Sequence, residues 1–272
     1  MLSGEDHSER WQADERNKFA GVTAIVTGAT SGIGNAILRC LLSRGANVVA
    51  AARGAERLEA LGRELGGRVF GVPTDVRREE DIEVLVRATV DHFGAVDLAF
   101  NVVGGAGRAG SLIDTDSANW QEVMDLTLRS VFLGMKYQAR QMISQGKGGA
   151  IVNISSLNQI MPLYGNAGYA TAKAGVGMLT QNAALELARH QIRVNAVLPG
   201  VTDTRPTQRS KVPEIRRAYL ERIPLARIAS PDEIAQPAVF LASHEARYIT
   251  GVSLTVDGGW SLTGYPDASR WV

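Results

Sequence analysis

One repeating pattern constrains the fold of this chain more than any other feature: from Phe19 onward, short apolar runs alternate with longer segments of helical spacing. Gly, Pro, Asp or Asn separates each pair, as expected for repeated βα units. Most runs are apolar throughout, which is typical of strands buried on both faces in a parallel sheet covered by helices. The pattern predicts an α/β fold with a doubly wound parallel sheet in a single domain. The predicted strands are residues 22–27, 47–52, 68–72, 98–102, 150–154, 193–198 and 253–256, and the predicted helices are residues 33–43, 57–65, 79–93, 118–144, 168–190 and 232–242.

Composition argues against several classes of protein. The 29 Lys and Arg residues nearly balance the 28 Asp and Glu residues, so no overall basicity indicates a nucleic-acid partner. No apolar run reaches the roughly 18 residues of a membrane span, and the N-terminus lacks a secretory pattern, so we expect a cytoplasmic protein with no membrane partner. The single cysteine, Cys40, excludes a disulfide framework and is expected to be a buried core thiol. The charge-rich segment 1–18 predicts a mobile tail, which leaves residues 19–272 as the domain.

A glycine-rich loop directly follows the first predicted strand. Gly28, Gly32 and Gly34 have the spacing GxxxGxG, and glycines between a strand and a helix let the backbone approach a pyrophosphate at the helix N-terminus. Glycines also serve ordinary turns, but the order of strand, loop and helix favours nucleotide binding. The predicted cofactor contacts in the loop are Gly28, Thr30, Ser31, Gly32, Ile33 and Gly34.

Motifs of one known family run along nearly the whole chain. They are Asp75-Val76, Asn101 with Gly104, Asn153-Ile154-Ser155-Ser156, Tyr169-Ala170-Thr171-Ala172-Lys173, Arg193-Val194-Asn195, Pro199-Gly200, and Thr250-Gly251 through Asp257-Gly258-Gly259. From Phe19 to Trp260 the sequence thereby resembles the short-chain dehydrogenase/reductase family. The resemblance implies a Rossmann sheet of seven strands, a nicotinamide cofactor and a small carbonyl or alcohol substrate. It also implies a homo-oligomer, tetrameric or dimeric, whose subunits pack through the predicted helices 118–144 and 168–190.

Tyr169 and Lys173 are four residues apart, so on a helix they share one face. An ammonium group within ~4 to 6 Å of a phenol lowers its pKa by roughly 1 to 3 units, which would let Tyr169 exchange a proton near neutral pH. Such a pair also occurs on ordinary amphipathic helices, but the nearby Ser156 and the glycine loop favour catalysis. In the family, the tyrosine transfers the proton of the carbonyl or alcohol oxygen, the lysine also holds the nicotinamide ribose, and the serine matching Ser156 holds the substrate oxygen.

Thr127 is a departure from the family, which usually has an active-site asparagine at this position. A threonine hydroxyl offers less hydrogen-bonding capacity than an amide, and it often bonds back to its own helix. The proton relay ascribed to the asparagine is therefore in question. We keep Thr127 as a fourth candidate catalytic residue whose hydroxyl substitutes imperfectly for the amide.

Arg53 suggests which nicotinamide cofactor is used. By resemblance, Ala52 stands where NAD enzymes carry an acidic residue that binds the adenosine ribose, and Arg53 follows it. A guanidinium suits a 2′-phosphate, so NADP(H) is favoured, with NAD(H) as the alternative. The other interpretation of Arg53 is an ordinary surface arginine at the end of a strand. The family's remaining cofactor contacts fall on Asp75, Val76, Asn101, Gly104, Tyr169, Lys173, Pro199, Gly200, Thr202 and Thr204. None of the four histidines lies in these motifs or at ligand spacing, so no metal is predicted.

Three functions remain open: reduction of a 3-oxoacyl thioester, a sugar or polyol dehydrogenase activity, and nucleotide binding without turnover. Segment 205–227 carries seven basic residues against two acidic ones, which favours an anionic carrier such as a 3-oxoacyl thioester or describes a merely solvated helix face. Asn158 and Gln159 follow Ser156, and amides facing a pocket would suit a sugar or polyol, although both amides can instead bond loop backbone. A nucleotide-binding regulator without turnover is the third reading. The motif pattern favours the 3-oxoacyl reading. The seven basic residues are Arg205, Arg209, Lys211, Arg216, Arg217, Arg222 and Arg227.

Overall fold

The computed structural model describes residues 18–204 and 212–263. Seven strands form one sheet in which every neighbouring pair is parallel, in the order β3-β2-β1-β4-β5-β6-β7. The predicted doubly wound, seven-stranded Rossmann-type sheet is thereby confirmed. The strands are β1 (Thr23–Thr27), β2 (Asn47–Ala52), β3 (Val69–Pro73), β4 (Leu98–Asn101), β5 (Gly149–Ile154), β6 (Ile192–Pro199) and β7 (Ser253–Val256).

Helices cover both faces of the sheet, as the apolar strands require. Along β1, Ala24 and Val26 pack into one core layer while Ile25, between them, packs into the other. Helices α1, α2 and α8 contribute to the first layer, and α3, α5 and α6 contribute to the second. The helices are α1 (Gly32–Ser43), α2 (Ala55–Leu65), α3 (Glu79–Phe93), α4 (Ser117–Met124), α5 (Ser130–Gln145), α6 (Ala167–Leu187), α7 (Pro213–Leu220) and α8 (Pro231–Ala242).

The strand order places one topological switch point between β1 and β4. The chain winds outward from β1 to β3 and then returns to begin β4 on the other side of β1. In open α/β sheets, the crevice at the carboxyl ends of the strands beside such a point is where ligands bind. This edge, called the carboxyl edge below, therefore positions the site.

One predicted helix differs from the structure, and one helix of the structure was not predicted. Residues 118–144 are not one regular helix, because a π-helical turn, Asp125–Arg129, separates α4 from α5. Such turns insert one extra residue into the helical ladder and frequently occur at functional sites. Helix α7 was not predicted as a separate element, because its eight residues show too few turns for periodicity to identify them.

Several expectations fall on residues that the structure does not describe. These are the predicted tail except Lys18, and Arg205, Arg209 and Lys211 of the basic segment. Cys40 is a buried free thiol, as expected. Within the two described ranges, no helix is both long enough and apolar enough to cross a membrane.

Candidate active site at the carboxyl edge

The glycine loop joins β1 to α1 at the switch point, and its geometry requires glycine. Gly28 and Gly32 have φ of 67° and 52°, in the left-handed region. A Cβ on Gly34 would lie 2.4 Å from the carbonyl oxygen of Gly28, so only glycine lets the helix approach the strand this closely. The Asn35 side chain donates to the carbonyl oxygen of Ala29 at 3.1 Å and holds the loop in place. The loop is therefore a preformed turn that presents backbone groups at the start of α1.

A cleft of about 430 Å³ opens beside this loop. It runs from the carboxyl end of β2, past β1, to the segment that follows β4. The structure brings the glycine-loop residues together there with Arg53, Asp75, Val76, Gly104 and Thr204. The full lining is Gly28, Thr30, Ser31, Gly32, Ile33, Gly34, Ala51, Ala52, Arg53, Gly54, Arg57, Thr74, Asp75, Val76, Val102, Val103, Gly104, Leu126 and Thr204.

The β2 end of the cleft is cationic. Arg53 and Arg57 are exposed and both line the cleft, although sequence reasoning identified only the first. Arg57 could have been predicted from its position four residues after Arg53, in the first turn of α2. Asp75 is bound by Arg77 at 2.5 Å, and this hydrogen bond together with the nearby positive charges keeps the pKa of Asp75 below its ordinary value.

The Asn101 side chain lies in the core. It donates to Gln138 at 3.1 Å and to Asn153 at 3.0 Å, while Gln138 donates back at 2.9 Å. The amide therefore belongs to a buried polar network in which both of its N–H groups and its oxygen have partners. The cleft wall after β4 consists instead of Val102, Val103 and Gly104.

Ser156 and Tyr169 meet just beyond the cleft. Ser156 follows β5, and its hydroxyl accepts the Asn158 amide N–H at 3.1 Å and donates to the Asn158 side-chain oxygen at 3.2 Å. The Tyr169 side chain lies close to the Ser156 hydroxyl. Desolvation raises the pKa of Tyr169, and the nearby Ser156 hydroxyl opposes this with a smaller effect.

Lys173 lies one helical turn after Tyr169 and is 2% exposed. Its Nζ donates to the carbonyl oxygen of Ile154 at 2.8 Å and lies 5.7 Å from the centre of the Tyr169 ring. Desolvation lowers the pKa of Lys173 to about 7. Burial therefore outweighs the expected lowering of the Tyr169 pKa by the Lys173 ammonium, and it shifts the two pKa values in opposite directions.

Thr127 sits in the π-helical turn, fully buried. Its hydroxyl donates to the carbonyl oxygen of Gly105 and accepts the Gly105 N–H, each at 3.1 Å. It does not bond back to its own helix, because the extra residue of the turn aims it at the loop after β4. That loop is also close to Lys173, since a Cβ on Gly104 would lie 3.1 Å from Lys173 Nζ.

Of the four predicted cofactor contacts at and after the end of β6, only Thr204 lines the cleft. Pro199 ends β6, and Gly200 packs so closely on Asp257 that a Cβ would lie 2.8 Å from its Cα. Thr202 is buried and donates to the carbonyl oxygen of Gly200 at 3.2 Å. Thr204 reaches the glycine loop, where its methyl group would be 3.1 Å from a Cβ on Gly32.

Gln159 points away from the cleft. Its amide donates to the Ser253 hydroxyl at 2.9 Å and fills the space beside Gly177, where a Cβ would lie 2.3 Å from the Gln159 amide nitrogen. Asn158 donates to the carbonyl oxygen of Met161 at 3.2 Å. The sequence left open whether these amides face a substrate pocket or bond within the protein, and the structure supports bonding within the protein.

The donor set fits a dinucleotide. The close Gly28–Gly34 contact leaves no side chain between the backbone and a pyrophosphate, and the two arginines stand at the adenosine end. Among residues 18–204 and 212–263, no group of three or more His, Cys, Asp or Glu side chains is placed to hold a metal ion.

Comparison with known proteins agrees with this geometry. Residues 28–261 match a family model described as enoyl-(acyl carrier protein) reductase. Glucose 1-dehydrogenase 2 of Bacillus subtilis is 37% identical over 91% of this chain and 97% of its own, and 3beta-hydroxysteroid dehydrogenase 1 of Eggerthella lenta is 39% identical over 90% and 95%. A short-chain type dehydrogenase/reductase from Mycobacterium ulcerans superposes with a TM-score of 0.88 at 31% identity, covering 94% of this chain and 95% of its own.

The family match covers residues 28–261, so it includes the glycine loop and the segments that follow the other six strands at the carboxyl edge. The sheet order, the cleft at the switch point and the extent of the matches agree with one another. This chain belongs to the short-chain dehydrogenase/reductase family, as an oxidoreductase that interconverts alcohols and ketones with NAD(P).

Proposed function

We propose that this protein interconverts a ketone and a secondary alcohol through Ser156, Tyr169 and Lys173, within one domain that carries both cofactor and substrate sites. The observation that carries the proposal is the placement of the Tyr169 hydroxyl close enough to Ser156 for that side chain to lower its pKa, with Lys173 one helical turn away. A substrate oxygen held by the same two hydroxyls is oriented for proton transfer by Tyr169. The nicotinamide, when bound, donates or accepts the hydride.

The opposed pKa shifts of Tyr169 and Lys173 suit this role. Burial favours the neutral phenol, which is the form that donates a proton during reduction. Lys173, with a pKa of about 7, gains or loses its proton near neutral pH. Its protonation brings a positive charge beside the ring, which favours release of the phenolic proton, so the lysine charge adjusts the acidity of Tyr169.

We infer that NADP(H) is the favoured cofactor. Arg53 and Arg57 both line the adenosine end of the cleft, and two exposed guanidinium groups form a site suited to the 2′-phosphate. The end of β2 offers Ala52 rather than an acidic side chain that would repel a phosphate.

Thr127 is proposed as a positioning residue. Both of its hydrogen bonds tie the π-helical turn to Gly105, next to the glycine that borders Lys173. The hydroxyl proton is used in the bond to the Gly105 carbonyl oxygen, so it is not available for a relay in this arrangement.

The contacts in the structure weaken both substrate classes that the sequence suggested. Arg217 and Arg227 are paired with Glu221 and Glu233, which weakens the case for an anionic thioester. The inward direction of Asn158 and Gln159 weakens the case for a polyol. The names of the two relatives divide between a sugar and a steroid, so they leave both a polar and an apolar alcohol as candidates.

The chain is further proposed to form a homo-oligomer. Phe132 on α5 and Met178 and Leu185 on α6 expose large apolar side chains on the two long helices through which the family's subunits pack. Light scattering on the purified full-length protein tests this, and a monomer at micromolar concentration would contradict it.

Turnover of a ketone panel with NADPH, followed by absorbance, tests the function directly. Tyr169→Phe should lower kcat by about 10²–10⁴-fold, because it removes the proton donor without changing the packing of the ring. The dissociation constant of NADPH should stay unchanged. Tyr248→Phe, at an exposed tyrosine outside the site, is the matched control. A Tyr169→Phe enzyme with most of the original kcat would contradict the mechanism.

A further inference from the structure

The large apolar side chains on the surface are concentrated at one edge. Nine large hydrophobic side chains of the described residues are more than half exposed. Six of them lie in the loops and short turns on the carboxyl side of strands β4 to β7. Four belong to the loops after β4 and β5: Leu112 at 73%, Ile113 at 91%, Ile160 at 57% and Tyr164 at 102%. We call these four side chains the apolar rim. Leu225 and Leu262 continue the same edge beyond β6 and β7.

The apolar rim is held next to the catalytic residues. Its two loops are joined by a backbone hydrogen bond of 2.9 Å from Gly110 to Gly165. The loop after β5 leads from Ser156 to Tyr169, so Ile160 and Tyr164 lie between the two proposed catalytic residues in the chain. The loop after β4 begins at the glycines beside Lys173. The two loops that carry the rim therefore begin or end at the proposed catalytic residues.

The rim carries few charged side chains. Residues 157–166 include none. On the other loop, Arg108 is paired with Asp116 at 3.3 Å, while Asp114 accepts the Ser111 hydroxyl and keeps its negative charge. Asn158 and the amide nitrogen of Gln159 bond within the protein, and the side-chain oxygens of Gln159 and Asn166, which have no partner among the described residues, are buried away from solvent. An anionic or heavily hydroxylated substrate would lose water here without gaining matching partners, whereas an apolar one gains from leaving water.

We propose that the substrate is an uncharged ketone or secondary alcohol with an apolar body, and that this body packs on the apolar rim while its oxygen lies between Ser156 and Tyr169. The inference rests on the proposed function for the chemistry and on the rim alone for the substrate class. Several exposed apolar side chains on two joined loops beside a site are otherwise unfavourable, since monomeric proteins seldom leave large apolar patches uncovered without a ligand or partner.

A matched series of ketones tests the proposal. A cyclohexanone bearing an alkyl group, a hydroxyl group or a carboxylate at the same ring position keeps the reacting carbonyl constant, and a 3-oxoacyl thioester extends the series. With saturating NADPH, we expect kcat/KM for the alkyl ketone to exceed that for the hydroxyl and carboxylate ketones by about tenfold or more. A preference for the hydroxyl ketone, the carboxylate ketone or the thioester would overturn the proposal.

Variants locate the effect on the rim. Ile160→Ser and Leu112→Ser should each lower kcat/KM for the alkyl ketone several-fold, mainly through KM, and leave that for the hydroxyl ketone nearly unchanged. Val84→Ser, at an exposed aliphatic residue of α3, is the control for loss of an exposed apolar group. Equal losses for both ketones, or a change of oligomeric state with no change in selectivity, would show that the rim serves folding or association instead.

Calorimetry separates failure of this inference from failure of the proposed function. If no ketone is turned over, the proposed function fails, but binding of the same series to the protein with NADP⁺ still reports on the rim. Tighter binding of the alkyl ketone, weakened by Ile160→Ser, supports the proposal. Equal or reversed affinities overturn it.

Discussion

The two halves of the carboxyl edge solve different recognition problems with different chemistry. The half formed by β1 to β3 presents backbone groups of a glycine loop and the exposed charges of Arg53 and Arg57. The half formed by β4 to β7 presents the apolar rim, on loops whose polar side chains are largely bonded internally. Phosphates require fixed donors and positive charge, whereas an apolar body requires only surface that water leaves readily. Lys173 lies where the halves meet.

The largest expected effect is the contribution of Lys173 to the pH dependence of protein stability. The folded protein holds the pKa of Lys173 at about 7, against an ordinary value of 10.5. Between these values the unfolded chain binds the proton that the folded protein has released, so this lysine makes stability rise with pH, by at most about 1.4 kcal/mol per pH unit. Below about pH 7 this pH-dependent contribution levels off, because both states then carry the proton.

Lys173→Met should therefore remove that rise. We expect the Tm of the unliganded wild type, minus that of the variant, to increase from pH 7 toward pH 10, in a thermal-unfolding series at constant ionic strength. Lys147→Met, at an exposed lysine, should leave the pH dependence as it is. A constant difference between wild type and Lys173→Met would contradict a depressed pKa.

The next effect sharpens the cationic half. Arg53→Ala should weaken NADPH binding by about 10- to 100-fold, which corresponds to the loss of one charge-assisted contact, and should leave NADH binding nearly unchanged. Arg57→Ala should act in the same direction by a smaller factor. Fluorescence titration of both cofactors provides the measurement, and Arg63→Ala farther along α2 is the control. A wild type that prefers NADH, or equal losses for the two cofactors, would refute the assignment.

A third prediction concerns the support beneath the apolar half. Gly177→Ala adds a methyl group 2.3 Å from the Gln159 amide nitrogen and must displace that side chain, costing about 1–3 kcal/mol of stability despite the better helix propensity of alanine. In a Gln159→Ala background the methyl group has room, and the same substitution should stabilise by up to about 1 kcal/mol. Urea unfolding of the four proteins in this cycle gives both numbers. Additive effects would mean that the two residues do not compete for space.

The smallest effect concerns the loop between the halves. Thr127→Val keeps the shape of the side chain but leaves the Gly105 N–H and carbonyl oxygen without their partner, at a cost of about 1 kcal/mol because the loop is partly exposed to water. We expect kcat to fall a few-fold at every pH across the neutral range, with no shift of the pH profile. A shifted profile would instead assign the hydroxyl to the proton relay.

The same contrast explains how far sequence reasoning reached. The strands were predictable because most of them are continuous apolar runs, and the glycine loop because positive φ and close packing leave few alternatives to glycine. The direction of the Asn101 side chain was not predictable, because its family motif does not reveal whether an amide faces the cleft or the core. Gln138 and Asn153, which bind it, are 37 and 52 residues away along the chain.

The sequence by itself determined the layer architecture, the family and many of the residues that meet at the carboxyl edge. These follow from local periodicity and from short motifs, in which neighbouring residues act together. Only the tertiary structure decided where Asn101, Thr127 and Gln159 point, how burial shifts the pKa values of Lys173 and Tyr169, and that two loops join into one apolar rim. Each of those outcomes depends on packing between segments distant in sequence, and burial and hydrogen-bond partners are properties of that packing.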